Sequence, residues 1–205
     1  MSNIEAAKTM ADVIRTCLGP RAMLKMVIDQ MGGIVVTSDG NAILRELDVA
    51  HPAAKSMLEV CRTQDESVGD GTTSVVVLTG EFLAAAMPLL ERKIHPITII
   101  QGYRKAMSIG LKALNDISLK VDPSDDAKVK EFVKVSLGTK VLGRNTDHVV
   151  EMALTAVKSV IMKRQDLKGD TQLDIDIKRY AKVEKIPGGE VSDSYVLDGI
   201  YLLYF

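Results

Sequence analysis

The chain has 205 residues, of which 46% are hydrophobic, and its 26 Lys and Arg nearly balance 27 Asp and Glu. This length suits one large domain or two modest ones, and the near-zero net charge gives no electrostatic reason to expect nucleic acid or an anionic membrane as a partner. No apolar run approaches the ~20 residues that span a bilayer, and the start MSNIEAAK is not a signal peptide, so we expect a soluble, cytoplasmic protein.

Two cysteines, Cys17 and Cys61, both fall within apolar helical patterns. Their spacing fits neither a metal site nor a disulfide framework. We therefore predict reduced core thiols, as expected of a cytosolic protein.

Five helices and one short strand are predicted in the first 120 residues. Apolar residues recur at helical spacing from residue 3 until Gly19-Pro20 stops the pattern, and the run GGIVVT is β-branched, as strands are. A tight turn at residues 38–40 follows. The predicted helices cover residues 3–18, 41–47, 52 to about 68, 72–91 and 95 to about 119.

The linker signal Asp122-Pro123-Ser124 separates this helical part from a different pattern. A charged helix follows, then another helix with apolar positions from Val149 to Val160. The alternating stretch IDIKRYAKVEKI is typical of two strands before Pro187. We predict a mostly helical domain over residues 1–122, an α/β segment over 123–195 and a short remnant over 196–205.

The strongest candidate for ligand binding is the run from Val68 to Ser74, which reads VGDGTTS. Glycines on both sides of Asp70 allow a sharp turn and a close approach to a ligand, and a helix beginning at Thr72 offers N–H groups to a phosphate. Asp70 is the hard oxygen ligand that Mg²⁺ prefers. The alternative is a helix cap made of Asp, Thr and Ser with no ligand.

Three weaker signals carry similar alternatives. Gly19-Pro20 is either a phosphate-contacting loop or a plain helix stop. Asp39, in the sequence TSDG, is either a site carboxylate or part of a hairpin turn. Thr139-Lys140 either places a hydroxyl and an ammonium on a phosphate or ends a helix.

The order of these segments resembles the chaperonin family. LGPRAMLKM, GGIVVTSDGNAIL, VGDGTTSVVVL, SLGTK and IDIKRYAKVEKIPGG follow one another as they do in the group of archaea and the eukaryotic cytosol, rather than the bacterial GroEL type. The resemblance covers residues 3 to about 199. It implies a subunit of an ATP-dependent protein-folding ring, similar to the eukaryotic cytosolic chaperonin (TRiC, also called CCT).

The resemblance assigns roles to residues of this chain. It implies Mg²⁺ binding by Asp70 and a catalytic role for Asp39 in positioning or deprotonating the attacking water. Thr139 and Lys140 match a segment that senses the terminal phosphate from the neighbouring domain. The implied contacts to ATP are made by Gly19, Pro20, Gly71, Thr72, Thr73, Ser74, Thr139 and Lys140.

The resemblance also implies a domain organisation. The fold would be mostly α with small β elements: the N-terminal part of a helical equatorial ATPase domain over 1–122, then the N-terminal part of an α/β intermediate domain over 123–195. Residues 196–205, ending IYLLYF, are expected to be the start of an apical domain or a divergent tail.

The implied partners are other chaperonin subunits in a hetero-oligomeric double ring and unfolded client proteins, with neither nucleic acid nor membrane. The chain is shorter than the family's subunits, so a second catalytic aspartate and the nucleotide-base pocket are expected to lie outside it. The alternative function is a non-enzymatic piece that lacks ATP turnover and acts only by subunit interaction, or that has no function.

Overall fold

The computed structural model describes residues 2–19, 21–29, 31–138, 145–165, 171–197 and 199. The chain divides into two compact units, Met1–Lys120 and Val121–Phe205. Each unit is described by itself. The predicted fold class, mostly α with small β elements, is confirmed. The tail prediction for residues 200–205 falls outside the described residues.

In its described part, the first unit contains five helices and one hairpin. In chain order these are α1 Ser2–Arg15, β1 Lys25–Ile28, β2 Ile34–Thr37, α2 Gly40–Glu46, α3 Pro52–Ser67, α4 Thr72–Glu91 and α5 Pro96–Ile117. Two of these helices, α3 and α5, begin at a His-Pro pair. The Nδ1 atoms of His51 and His95 accept hydrogen bonds from the N–H groups of Ala53 and Ile97, and the proline follows at the first helical position.

The core of the first unit lies between α1, α3 and α4, with α2 packed on α3 and α4. Apolar residues of α1 recur every three or four positions and are buried along one face, which explains why this segment is helical. Among the described residues, the largest side chains with almost no exposure are Ile14, Ile43, Leu44, Cys61 and Val76.

The strands β1 and β2 form an antiparallel hairpin that pairs Lys25 with Thr37 and Ile28 with Ile34. Sequence patterns predicted β2 but missed β1, which is only four residues long. The Asp29 carboxylate closes the turn by accepting from the N–H groups of Met31 and Gly33. One face of the hairpin is exposed although it is apolar: Met26, Ile28, Ile34 and Val36.

Within its described residues, the second unit contains two longer helices, a hairpin, a short helix and a 3-10 turn at Val191–Asp193. These are α6 Asp126–Leu137, α7 Thr146–Ser159, β3 Ile161–Gln165, β4 Thr171–Ile175 and α8 Ile177–Tyr180. The helices α6 and α7 pack together, and β3 pairs antiparallel with β4. The equatorial and intermediate names for the two segments of the chain stay predictions.

The prediction of two strands in IDIKRYAKVEKI is wrong beyond Ile175. The Asp176 carboxylate accepts from the N–H of Arg179 and begins the one-turn helix α8, and residues 181–186 have no regular structure. β4 instead pairs with β3, a segment that the sequence pattern assigned to a helix end. Alternation alone does not identify a strand when no partner strand is adjacent.

Helix α4 is long and apolar enough to span a membrane by length and composition, with a mean hydropathy of 1.7. The expectation that no apolar run approaches 20 residues is therefore wrong for this helix. Length and composition are weak evidence, because core helices of soluble proteins pass the same test. Gly80 of α4 packs against Ala11, and Glu81 binds Arg15, so α4 makes both apolar and ionic contacts with α1.

Candidate functional site

The starts of α2 and α4 lie side by side and bring together residues that are 33 positions apart. Asp39 is the N-cap of α2, and its Oδ2 accepts from the N–H of Ala42 at 2.9 Å. The hydroxyl of Thr72 at the start of α4 donates to the other carboxylate oxygen of Asp39 at 3.5 Å. The hairpin-turn alternative for Asp39 is therefore wrong, because this residue begins a helix.

Gly40 allows this close approach between the two helices. A Cβ added at Gly40 would lie 2.6 Å from Oγ1 of Thr73 and 3.0 Å from its Cα and N. Such distances are too short for any side chain. The glycine thus lets the backbone of α2 contact the first turn of α4 directly.

The loop that precedes α4 turns twice through left-handed backbone conformations. Gly69 has φ +75° and Gly71 has φ +72°, a region that side chains other than hydrogen disfavour. Gly71 is the N-cap of α4 and provides no side-chain hydrogen bond to the helix. The N-cap of α4 is therefore Gly71 and not an Asp, Thr or Ser, so the first-turn N–H groups of α4 lack an N-cap side chain. Ligand binding at this helix start stays a prediction.

Asp70 lies between these two glycines and is exposed. Its Oδ1 accepts from the N–H of Gly71 at 2.8 Å, and its backbone carbonyl accepts from the side-chain amide of Gln64 at 2.9 Å. The carboxylate is therefore next to the α4 start, while its backbone is tied to α3.

Cys61 of α3 lies beneath the first turn of α4. Its side chain is fully buried, and its thiol donates to the carbonyl of Thr72 over 3.7 Å. Burial raises the pKa of the Cys61 thiol to about 11, with smaller contributions from the negative charges of Asp39 and Asp65. The thiol stays protonated at neutral pH and serves as a packing group, and both cysteines are free and buried, as the sequence predicts.

The remaining predicted residues are only partly joined to this group. Ser74 is half-buried in the first turn of α4. Gly19 follows α1 with φ +94°, and the hydrogen bonds of its turn connect residues 14–23 to one another. Pro20, Thr139 and Lys140 lie outside the described residues.

The donor set fits a magnesium–phosphate ligand. Within the described residues, no group of three or more His, Cys, Asp and Glu side chains is arranged to hold a metal alone. Mg²⁺ is commonly held by one or two carboxylates together with phosphate oxygens and water. Asp70 and Asp39 supply carboxylates, and the α4 start supplies N–H groups and the positive end of a 20-residue helix.

The comparison with known proteins gives the family. The model of the TCP-1/cpn60 chaperonin family matches residues 10–203. The chain belongs to this family. The two helix starts and the glycine-flanked Asp70 lie within the matched range.

Relatives of this chaperonin chain are T-complex protein 1 gamma subunits. The one from Schizosaccharomyces pombe is 54% identical over 202 residues, that from Saccharomyces cerevisiae 56% over 207, and that from Homo sapiens 52% over 200. Each alignment covers 98% of this chain but only 36–38% of the relative. The segments GNAILRE, RTQDE and YAKVEKIPGG indicate the same subunit type.

Two contributors to the site were missed by sequence reasoning. Gly40 is needed because Thr73 approaches it, and Gln64 reaches across a turn to the carbonyl of Asp70. Gln64 stands five residues before the Gly69-Asp70-Gly71 sequence, and a polar side chain near the end of the preceding helix was the available signal. The Gly40 contact has no local signal, because its partner is 33 positions away.

Proposed function

We propose that this chain is part of a chaperonin subunit that binds Mg-ATP at the starts of α2 and α4 and contributes to its hydrolysis. The observation that carries the proposal is the start of α4. A 20-residue helix begins there at a glycine without a capping side chain, beside the Asp70 and Asp39 carboxylates. Family membership supports the same ligand.

Each group has a role that its position supports. The N–H groups of Thr72, Thr73 and Ser74 hold phosphate oxygens, and the glycines leave room for them. Asp70 is the Mg²⁺ ligand, and the bound ion would neutralise phosphate charge. Asp39 accepts from Thr72, so its carboxylate is held in place to orient or deprotonate a water molecule.

The wider part of the proposal follows from the family. The chain acts with other chaperonin subunits in a hetero-oligomeric double ring of the cytoplasm, and the ring folds unfolded client proteins. Gly19 and Pro20 add contacts to the nucleotide, and Thr139 with Lys140 senses its terminal phosphate. These four assignments rest on sequence resemblance.

The first test is Mg²⁺-dependent ATP binding to the purified chain by isothermal titration calorimetry. Asp70→Ala should abolish the Mg²⁺-dependent part, because it removes the metal ligand. Asp116→Ala makes the same change on an exposed side chain of α5 and should bind as the parent does. Equal binding by parent and Asp70→Ala contradicts the proposed site.

A second measurement separates binding from turnover. Asp39→Asn keeps an oxygen that can cap α2 but removes the charge needed to orient or deprotonate water. Phosphate release should fall by about 10²-fold or more while ATP still binds. Binding without phosphate release by the parent would favour the non-enzymatic alternative.

A further inference from the structure

Gln64 contacts the loop of the candidate site from the last turn of α3, a helix that does not itself bind the ligand. Its half-buried side chain donates from Nε2 to the backbone carbonyl of Asp70 at 2.9 Å. The same amide nitrogen lies 3.7 Å from where a Cβ of Gly71 would be. The side chain therefore packs against the peptide unit that joins Asp70 to Gly71.

The backbone of Gln64 holds the other end of the same loop. Its carbonyl accepts from the N–H of Val68 at 3.0 Å and from the N–H of Gly69 at 3.2 Å. One residue thus makes three hydrogen bonds to the segment 68–70. The bonds hold the N–H of Gly69, one of the two left-handed glycines, and the Asp70 carbonyl, which belongs to the peptide that joins Asp70 to the other, Gly71.

The orientation of the Asp70–Gly71 peptide decides where the site groups point. The carbonyl of Asp70 is on one side of that peptide and the N–H of Gly71 is on the other, because the peptide is planar. The N–H of Gly71 donates to the Asp70 carboxylate at 2.8 Å. Holding the carbonyl toward Gln64 therefore holds the N–H, and with it the carboxylate, on the opposite side.

We propose that Gln64 is a positioning residue that fixes the Asp70–Gly71 peptide in the orientation needed for Mg-ATP. This inference rests on the proposed function of the same site. Two glycines make the loop easy to reorient, since glycine adopts left- and right-handed conformations at similar cost. A side-chain amide that reaches the loop from a rigid helix removes that freedom before the ligand arrives.

The test uses two substitutions that leave the backbone bonds of Gln64 in place. Gln64→Ala removes the side chain beyond Cβ and with it the amide donor. Gln64→Glu keeps the size but replaces the donor with a carboxylate that faces the Asp70 carbonyl. The matched control is Gln101→Glu, on the exposed side of α5.

Binding of Mg-ATP should weaken about 3- to 10-fold in Gln64→Ala, the effect of one lost hydrogen bond, and at least as much in Gln64→Glu. Gln101→Glu should bind within about 2-fold of the parent. A Kd for Gln64→Ala that matches the parent value overturns the inference.

Hydrogen exchange without any ligand gives an independent measurement. The amides of residues 69–73 should exchange faster in Gln64→Ala, while those of α1 and the middle of α3 keep the parent rates. Faster exchange throughout α3 would indicate general loss of the helix and would contradict a positioning role. If the parent binds no Mg-ATP, the proposed function fails, and the exchange rates still decide whether Gln64 fixes the loop.

Discussion

At the scale of single residues, the candidate site depends on buried groups as much as on the half-buried Asp39 and the exposed Asp70. Cys61 and Thr72 meet beneath the loop, and Thr72 then reaches Asp39 through its hydroxyl. These contacts tie the end of α3 to the starts of both α4 and α2. A substitution of Cys61 should therefore alter the position of the Asp39 carboxylate.

The raised pKa of Cys61 predicts a pH-dependent stability. The folded thiol has a pKa of about 11 against an ordinary value of 9.0, so the folded state holds its proton over this interval while the unfolded state loses it. The stability contribution is complete below pH 9 and should be lost as pH rises to about 11. Urea unfolding from pH 8 to pH 11 measures the loss, which should be smaller in Cys61→Ala.

Alkylation of the same thiol supplies the control. At pH 8 the native chain should react with iodoacetamide at Cys61 at least 10-fold more slowly than the unfolded chain, since thiolate is the reactive form and the thiol is buried. Fast labelling of native Cys61 would contradict the burial on which the pKa depends.

At the scale of elements, the contact between α1 and α4 depends on small residues. A Cβ at Gly80 would lie 2.4 Å from the Cβ of Ala11, so Gly80→Ala must push the helices apart. We expect a loss of about 1–3 kcal/mol in the free energy of unfolding, although alanine favours a helix. Chemical denaturation measures it.

Gly110→Ala is the matched control for this change. Gly110 lies in α5 with nothing within 4 Å of an added Cβ, so this substitution should stabilise the chain by about 0.5–1 kcal/mol. Ala11→Gly in the Gly80→Ala background should recover part of the loss. Equal effects of the two alanine substitutions would mean that α1 and α4 are not in close contact.

The pair α6 and α7 is joined by three ion pairs across its surface. Lys130 binds Glu151 at 2.8 Å, Lys134 binds Asp147 at 2.6 Å and Lys158 binds Asp126 at 2.6 Å. Val150 is the one buried side chain within the two helices. The other apolar side chains of the two helices are half-buried or exposed, so exposed ion pairs stand beside a small apolar contact.

This arrangement predicts a dependence on ionic strength. Raising NaCl from about 0.05 M to about 0.5 M should speed amide exchange in α6 and α7, because exposed ion pairs are screened. Glu151→Lys should have a similar effect at low salt, and the charge swap Lys130→Glu with Glu151→Lys should reverse it. Amide exchange rates that change neither with NaCl concentration nor with these charge substitutions would contradict the role of the ion pairs.

The pKa shifts of Lys130 and Glu151 give the direction in which the stability of the α6–α7 pair changes with pH. The hydrogen bond from Lys130 lowers the pKa of Glu151, and the hydrogen bond to Glu151 raises the pKa of Lys130. The contribution of Glu151 is therefore present above its unfolded pKa and is lost as pH falls through the lower folded value. Acid should loosen this helix pair before it affects helices without such pairs.

Sequence patterns predicted the elements whose formation depends on residues close together in the chain. Helix α4 was expected over 72–91 and runs over Thr72–Glu91, because an apolar run starts after two glycines and the signals agree. β1 was missed because four residues become a strand only when β2 pairs with them. The candidate site follows the same rule: Asp39 and Asp70 were candidates from local sequence patterns, while the contacts of Gly40 and Gln64 depend on the folded chain.

At the scale of the whole molecule, the amount of exposed apolar surface is large. Helix α5 has a single buried residue, Ile99, although it is amphipathic. Its large exposed side chains are Ile97, Ile100, Tyr103, Met107, Ile109, Leu111, Leu114 and Ile117. Contiguous apolar surface of this kind favours association in solution.

We therefore expect the isolated chain to bind a hydrophobic dye and to form oligomers at micromolar concentration. Changing Leu111 and Leu114 together to Glu and Lys should reduce both, because these side chains are exposed, with little change in the free energy of unfolding. Dye fluorescence and sedimentation velocity measure the effects. A monomeric parent that binds no dye would contradict this expectation.

The hairpin joins the candidate site through a very short connection. Thr37 ends β2, and Ser38 is the only residue between Thr37 and Asp39. The N–H of Asp39 donates to the hydroxyl of Thr37 at 3.1 Å. Because one residue separates β2 from the N-cap of α2, we expect a displacement of the hairpin to move the Asp39 carboxylate, and a ligand held at Asp39 to restrain the hairpin in return.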